Sequence, residues 1–511
     1  MLDIAYASIT EIHEAYRRKE TTVEEVVLAY LTRIAKIDMG ADGLKSVIEI
    51  NPDALFIAKA LDQKMQKMHE MDSEHMDDRQ LNGEYEAGLM PPLFGIPVLL
   101  KDNINTHDRL HTTAGSVALA DNYAPYDAHI VNLLRQAGAV IIGKANMTEF
   151  ANYMSREDMP SGYSSRGGQV INPYNKDKTP SGSSSGSAVA VAAGLCTVSI
   201  GTETSGSILS PGWNNGIVGI KPTLGLVSRS GITPISSTLD TAGPMTRTVR
   251  DAAVLLNVIA GMDPDDPATY VHPSPHTAPT HAASNTTPNV VDYTKLLGSG
   301  SLKGVKIGIN RSQKLDDFVL NEEEKAIFEK LCQAASDAGA VLIDNVNIDS
   351  NFIISKIMRS EFKTCMNYYL STLKGSSKLK TLKDIIEYNQ ANAAVALKYG
   401  QSILVDVENN TSGAMTEPEY IEALLERAQA ITALDRLFDA HDIDVMLCET
   451  FTNIAPFTGF PAITVPIGQR QDKLPVGSYW IARRFDEATL IKVAYGIEQL
   501  LGVCLRPELD H

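Results

Sequence analysis

The 511-residue chain is poor in cysteine, and its five cysteines form no pattern. Cys196, Cys332, Cys365, Cys448 and Cys504 are scattered, odd in number and without C-x-x-C spacing. That argues against a disulfide framework or a thiolate metal site and predicts reduced, packed thiols. Long apolar runs are also missing: none approaches the ~20 residues that span a bilayer. The first residues, MLDIAYASITEIHE, lack the basic and apolar blocks of a secretory signal. The cytoplasm is therefore the expected compartment, with no membrane partner. Basic residues are in deficit, 45 against 62 acidic ones, and the net charge of −17 argues against nucleic acid as a partner. Neither G-x-x-x-x-G-K-[ST] nor a G-x-G-x-x-G following a strand occurs at the Ser/Gly turns described below, so no nucleotide cofactor is expected there. His107 and His111 have the H-x3-H spacing of zinc-binding helices. No Glu follows the first, however, and the segment runs into a TTAGS turn, so no metal is expected either.

What is present reads as α/β. Residues 8–11 and 22–25 have the S/T-x-x-E spacing that caps helices, and Val23, Val26, Val27, Tyr30, Leu31 and Ile34 form one apolar stripe. Residues 64–88 are polar and Met-rich, which suggests a helix tail and an exposed loop. GIPVLL (95–100) and AVIIG (139–143) are short apolar runs bounded by Gly or Pro. Between them 127–137 reads as a helix started by Asp127 and ended by Gly138. Strand, helix, strand in that order predicts a βαβ unit and hence a largely parallel sheet. TVSIGT (197–202), GIVGI (216–220), GVKIGIN (304–310), AVLIDNVNI, VMLC (445–448), AITVPIG (462–468) and GSYWIAR (477–483) add further strands. Residues 263–289, rich in Pro, His, Ser, Thr and Asp, read as a surface loop, and 350–440 as mostly helical. No internal repeat or clean boundary appears, so the expectation is one α/β domain over 1–511.

The most informative stretch is 181–211, SGSSSGSAVAVAAGLCTVSIGTETSGSILSP. Two Ser/Gly turns flank a small-residue helix and a short apolar strand. Most Ser/Gly tracts are linkers, but a linker does not enclose an element built to be buried. Serines on tight turns present hydroxyls and backbone N–H groups together, as attack on a carbonyl requires. No histidine base lies near them in sequence. A lysine, Lys101 of GIPVLLKDN, ends an apolar strand upstream, where α/β sites gather. Such a lysine usually sends its ammonium to solvent. If the chain is a hydrolase, this lysine is its base.

Taken together, GIPVLLKDN, GSSSGSAVAVAAG, GTETSGSILSPG and GIVGIKPTLGLVSRSGITPISSTLDTAGPMTRTVRD resemble the amidase signature family. Within it the chain is most similar to bacterial peptide amidases, through SSRGGQVINPYN, IGTETSGSI and GFPAITVPIGQ. The likeness is dense over 95–261 and returns over 459–499. It implies an amidase-signature-type α/β fold, a large mixed, mostly parallel central sheet covered by helices on both faces. N-terminal helices would occupy 1–70, the signature core 95–260, a surface loop 263–290, α/β and helical additions 300–440, and returning strands and a helix 440–505.

The resemblance also implies a Ser–cis-Ser–Lys triad, with Ser207 as nucleophile, Ser183 as bridging serine and Lys101 as base. Backbone groups of Thr204, Ser205, Gly206 and Ser207 would form the oxyanion hole, worth about 3–4 kcal/mol for one well-placed donor. A hydroxyl accepts a proton on one side and donates on the other, so Ser183 can relay. Lys101 must be neutral to act. Moving its pKa from about 10.4 to near 7 takes roughly 5 kcal/mol, which burial supplies. Asp102 would oppose that shift, so its side chain is expected to point away. The chain departs from the common G-T-D-x-G-G-S-I-R pattern at Glu203, Ser205 and Leu209, and the stretch 448–459, which commonly borders the acyl pocket, is short. The implied activity is hydrolysis of a linear carboxamide, with peptide C-terminal amides as a candidate substrate and no cofactor. The alternative is the amidase component of a tRNA-dependent amidotransferase that supplies ammonia to a partner.

Overall fold

The computed structural model describes residues 2–74, 90–270, 291–298, 300–312, 319–348 and 352–509. Thirteen strands occur among them. In chain order they are β1 Val47–Ile50, β2 Pro97–Lys101, β3 Val140–Ala145, β4 Tyr163–Ser164, β5 Gly168–Gln169, β6 Val198–Glu203, β7 Val218–Lys221, β8 Thr241–Thr246, β9 Lys306–Asn310, β10 Val341–Ile343, β11 Val445–Cys448, β12 Ala462–Gln469 and β13 Pro475–Ala482. Eleven form one sheet in the order β1-β3-β2-β6-β8-β7-β12-β13-β11-β9-β10, and β4 and β5 form a small hairpin.

The central sheet is mixed, as expected, but its parallel majority is not found. Parallel pairing is confined to β3-β2-β6 and β11-β9-β10. The other six pairings are antiparallel. The βαβ unit is present, with helix His129–Gln136 crossing from β2 to the parallel β3. One overturning element is β8, TAGPMT, whose Gly and Pro hide a strand from a propensity reading. It inserts antiparallel between β6 and β7. Its pairing with β7 stops at Met245, so Pro244 owes no hydrogen bond on that side. The β12–β13 hairpin adds a second antiparallel block.

The N-terminal capping boxes form: Glu11 N–H donates to Ser8 Oγ and Glu25 N–H to Thr22 Oγ1, with each Glu carboxylate returned to its cap backbone. Helix Val23–Ile37 buries Val23, Val26, Val27, Tyr30 and Ile34 against the core. Asp127 does not cap the following helix, whose cap is Ala128. Its carboxylate is drawn off by His107 N–H and the Arg135 guanidinium instead. Helix Ala54–Glu74 includes the start of the 64–88 stretch, and the rest of that stretch lies outside the described residues. Of the expected loop 263–289, Pro267–Tyr270 form a short 3-10 helix and 271–289 lie outside the described residues. The 350–440 region is helical, including Ile354–Thr372 and Pro418–His441.

The small-residue segment becomes helix Ser185–Ala192, with all eight residues buried. Small size is a packing requirement here. A Cβ on Gly186 would lie 2.3 Å from the carbonyl oxygens of both Asn146 and Ser46. The backbone thus reaches the sheet at a distance that a side chain would forbid. Because β2 and β6 are adjacent and parallel, their carboxyl ends emerge together. Lys101 ends one, and the turn after Glu203 leaves the other.

Candidate active site

Lys101 is fully buried, with none of its surface exposed. Its Nζ donates to Ser183 Oγ at 2.8 Å and to the Thr202 carbonyl at 3.1 Å. Burial lowers its pKa from 10.5 to about 7, against an opposing pull from Glu203 and Asp240. At neutral pH a large fraction of the amine is therefore uncharged. Asp102 points away, as expected. Its Oδ2 accepts from Thr113 Oγ1 and Gly115 N–H, on the side of Lys144 and Arg166.

Ser183 is equally buried, and the Gly182–Ser183 peptide is cis. Three hydrogen bonds join its turn to the Ser207 turn and to the strand and helix on either side of it. Ser184 N–H donates to the Ser207 carbonyl at 3.2 Å, Ser184 Oγ donates to the Thr202 carbonyl at 3.0 Å, and the hydroxyls of Ser181 and Ser210 meet at 2.6 Å. Lys101 and Ser183 are thus in direct contact, and Ser207 joins them through its backbone. Ser207 itself is half-buried, as is Ser205 in the same turn.

The turn 204–207 is shaped by what lies behind it. Gly206 has φ +94°, a conformation that glycine supplies without strain, and a Cβ there would lie 2.6 Å from Phe451 Cζ. Phe451 in turn stacks on Tyr479 with ring centroids 5.1 Å apart. The short 448–459 segment therefore does border the turn. Beneath, Glu203 Oε2 accepts the N–H groups of Ile208 and Leu209 at 2.7 and 3.0 Å, clamping the entry to helix Leu209–Asn214. The N–H groups of Ser205 and Ser207 have no hydrogen-bond partner among the described residues. They remain available to an oxygen in the cleft.

Two contributors escaped the sequence reading. The Thr202 carbonyl holds both Lys101 and Ser184, and a backbone acceptor leaves no trace in residue type. Asp240 lies beside the turn, where Thr204 Oγ1 donates to its Oδ1 at 2.6 Å. It shares a small cleft with Asn103, Thr202, Thr204 and Arg229. His111, weighed above for zinc, has its Nδ1 2.7 Å from the Glu49 carboxylate, and no cluster able to hold a metal ion occurs among the described residues. No described helix is long and apolar enough to cross a membrane.

Comparison with known proteins identifies the family. The amidase family model matches residues 25–456. A probable amidase of Arabidopsis thaliana is 36% identical over 510 residues, covering 97% of this chain and 90% of the relative. The crystal structure of native peptide amidase from Stenotrophomonas maltophilia superposes with a TM-score of 0.85 at 36% identity, covering 100% of both chains. A glutamyl-tRNA(Gln) amidotransferase subunit of Alkaliphilus metalliredigens is 31% identical over 531 residues, covering 98% of each. With a family model spanning most of its length and relatives alike from end to end, the chain belongs to the amidase family and is a hydrolase of carbon–nitrogen bonds in amides.

Proposed function

We propose that this amidase converts a linear carboxamide to a carboxylic acid and ammonia through an acyl-serine intermediate, with peptide C-terminal amides as its substrates. The observation that carries this reading is the 2.8 Å contact between a fully buried Lys101 amine and Ser183 Oγ. An amine held near neutrality is a base matched to work at physiological pH.

In the first step Ser207 Oγ attacks the amide carbon. Its proton passes to Ser183 Oγ, whose own proton passes to the Lys101 lone pair. The carbonyl π electrons move onto oxygen, where N–H groups of the turn 204–207 stabilise the charge. Collapse of this intermediate breaks the carbon–nitrogen bond, and the proton returns from Lys101 through Ser183 to the departing nitrogen as ammonia. Water then attacks the acyl-Ser207 ester, gives up its proton along the same relay and releases the acid. Ser207 regains its proton. Every proton borrowed is returned, so no cofactor is required. Glu203 and Gly206 contribute by fixing the turn: the carboxylate holds the following N–H groups, and the glycine lets the backbone lie against Phe451.

The peptide preference is supported by likeness to the peptide amidase along the whole chain. The test is ammonia release across C-terminal peptide amides, aliphatic amides, aromatic amides and glutamine. Preference for peptide amides supports the substrate proposal. Selective turnover of glutamine instead supports the second reading, an ammonia-supplying component of an amidotransferase, which the full-length match to such a protein keeps in view.

A further inference from the structure

One carboxylate at the site has no part in the proton relay. Asp240 closes the loop that leads into β8, and both of its oxygens are engaged. Oδ1 accepts from the Thr204 hydroxyl at 2.6 Å, and Oδ2 accepts from the N–H groups of Ile235 and Ser236 at 2.8 and 2.9 Å. The single side chain therefore ties the first residue of the turn ahead of Ser207 to a loop on the other side of the cleft. That loop is itself anchored. Arg229 pairs with the Asp266 carboxylate and donates to the Ser237 carbonyl. Ser236 Oγ donates to Glu361, which also accepts the Tyr420 hydroxyl at 2.7 Å. A continuous run of hydrogen bonds thus leads from helices Ile354–Thr372 and Pro418–His441 to the turn.

We propose that Asp240 is a positioning residue for this reaction, holding the turn ahead of Ser207 in its working geometry by accepting the Thr204 hydroxyl. The inference rests on the reading of Ser207 as nucleophile. A turn that must present N–H groups to a developing charge gains from being fixed before the reaction begins, because reorganisation at that moment costs rate. Thr204 supplies the handle and Asp240 the fixed point. Charged and titratable groups face Asp240 from several elements: Lys101 from β2, Arg229 from its own loop and Cys365 from helix Ile354–Thr372, while Glu203 of β6 lines the same cleft. Its negative charge also raises the proton affinity of Lys101. Removing that charge should therefore move the acid limb of the reaction to lower pH, an effect that a purely structural prop does not have.

The experiment compares Thr204→Val, Thr204→Ser, Asp240→Asn and Ser207→Ala with the wild type, measuring ammonia release from a C-terminal peptide amide across the pH range, with thermal unfolding of each variant. Thr204→Val and Asp240→Asn are expected to lose about 10- to 100-fold in kcat with KM little changed, the pattern of an interaction that matters in the transition state. Thr204→Ser keeps the hydroxyl and recovers most of what Thr204→Val loses. Asp240→Asn alone shifts the acid limb downward. The inference is overturned if Thr204→Val keeps wild-type kcat, or if Thr204→Ser loses as much as Thr204→Val. Should Asp240→Asn fail to fold, the two Thr204 variants still decide. Full turnover by Ser207→Ala overturns the underlying reading. An inactive Ser207→Ala beside a fully active Thr204→Val overturns this inference alone.

Discussion

Titrating the reaction from about pH 9 to about pH 5 perturbs Lys101 more gently than any substitution, and the outcome can be worked in advance. The amine is completely buried and loses its proton near pH 7 because burial penalises the ammonium form. Only the neutral amine can take a proton from Ser183. Below its pKa the competent fraction falls about tenfold per unit, so kcat/KM at about pH 5 should lie about 100-fold below its alkaline plateau. Asp240, raised to about 6 by burial, titrates in the same window and modulates the limb without replacing it. Lys101→Arg separates the two, because a guanidinium holds its proton beyond about pH 12 and cannot serve as base. That variant should lose about 10³-fold at every pH, leaving no plateau to recover. The assay is ammonia release in initial-rate conditions. A flat profile down to about pH 5, or a Lys101→Arg enzyme within tenfold of wild type, would refute the reasoning.

Further outcomes follow from the same geometry. Gly206→Ala places a Cβ against Phe451 and forces a side chain into a positive-φ conformation. It should lower kcat about 100-fold or more by displacing the turn, and an unchanged kcat would show that the turn has slack. Ser183→Ala removes the relay between Ser207 and Lys101 and should cost about 10²- to 10⁴-fold in kcat with substrate binding retained, read from pre-steady-state and steady-state rates. Lys101→Met should change how stability depends on pH. Between about 7 and 10.5 the unfolded wild type binds a proton that the folded form does not, so Lys101 makes wild-type stability rise with pH through that window. The unfolding free energy of wild type minus that of Lys101→Met should therefore grow from pH 7 toward pH 10. A constant difference would contradict a lysine buried neutral.

Much of the site was legible because its chemistry is written in local motifs. Lys101 ends an apolar strand, and Ser183 and Ser207 sit on Ser/Gly turns around a helix too small-sided for anything but close packing. Burial of the lysine and the outward turn of Asp102 followed from the base role that the family resemblance implies, because local context alone sends such an ammonium to solvent. The strand β8 was not legible, since Gly243 and Pro244 look like a loop and only pairing with β6 makes them a strand. It supplies two of the six antiparallel pairings, and the others arise from strands whose direction a strand-helix-strand reading does not fix. Asp127 was misread as a cap because a carboxylate's partner can be distant in sequence, here His107 and Arg135. Asp240 was passed over for a related reason. An acid in a polar loop looks like surface until the fold brings Thr204 to within 2.6 Å.

The central claim is that Ser207 carries the acyl group. Intact-mass spectrometry of enzyme quenched in acid during turnover of a slow amide, followed by peptide mapping, tests it most directly. The account predicts an adduct of the acyl mass on the peptide containing Ser207, absent from the Ser207→Ala variant, which releases no ammonia. An adduct mapped to another residue, or a Ser207→Ala enzyme that still turns over, would contradict it.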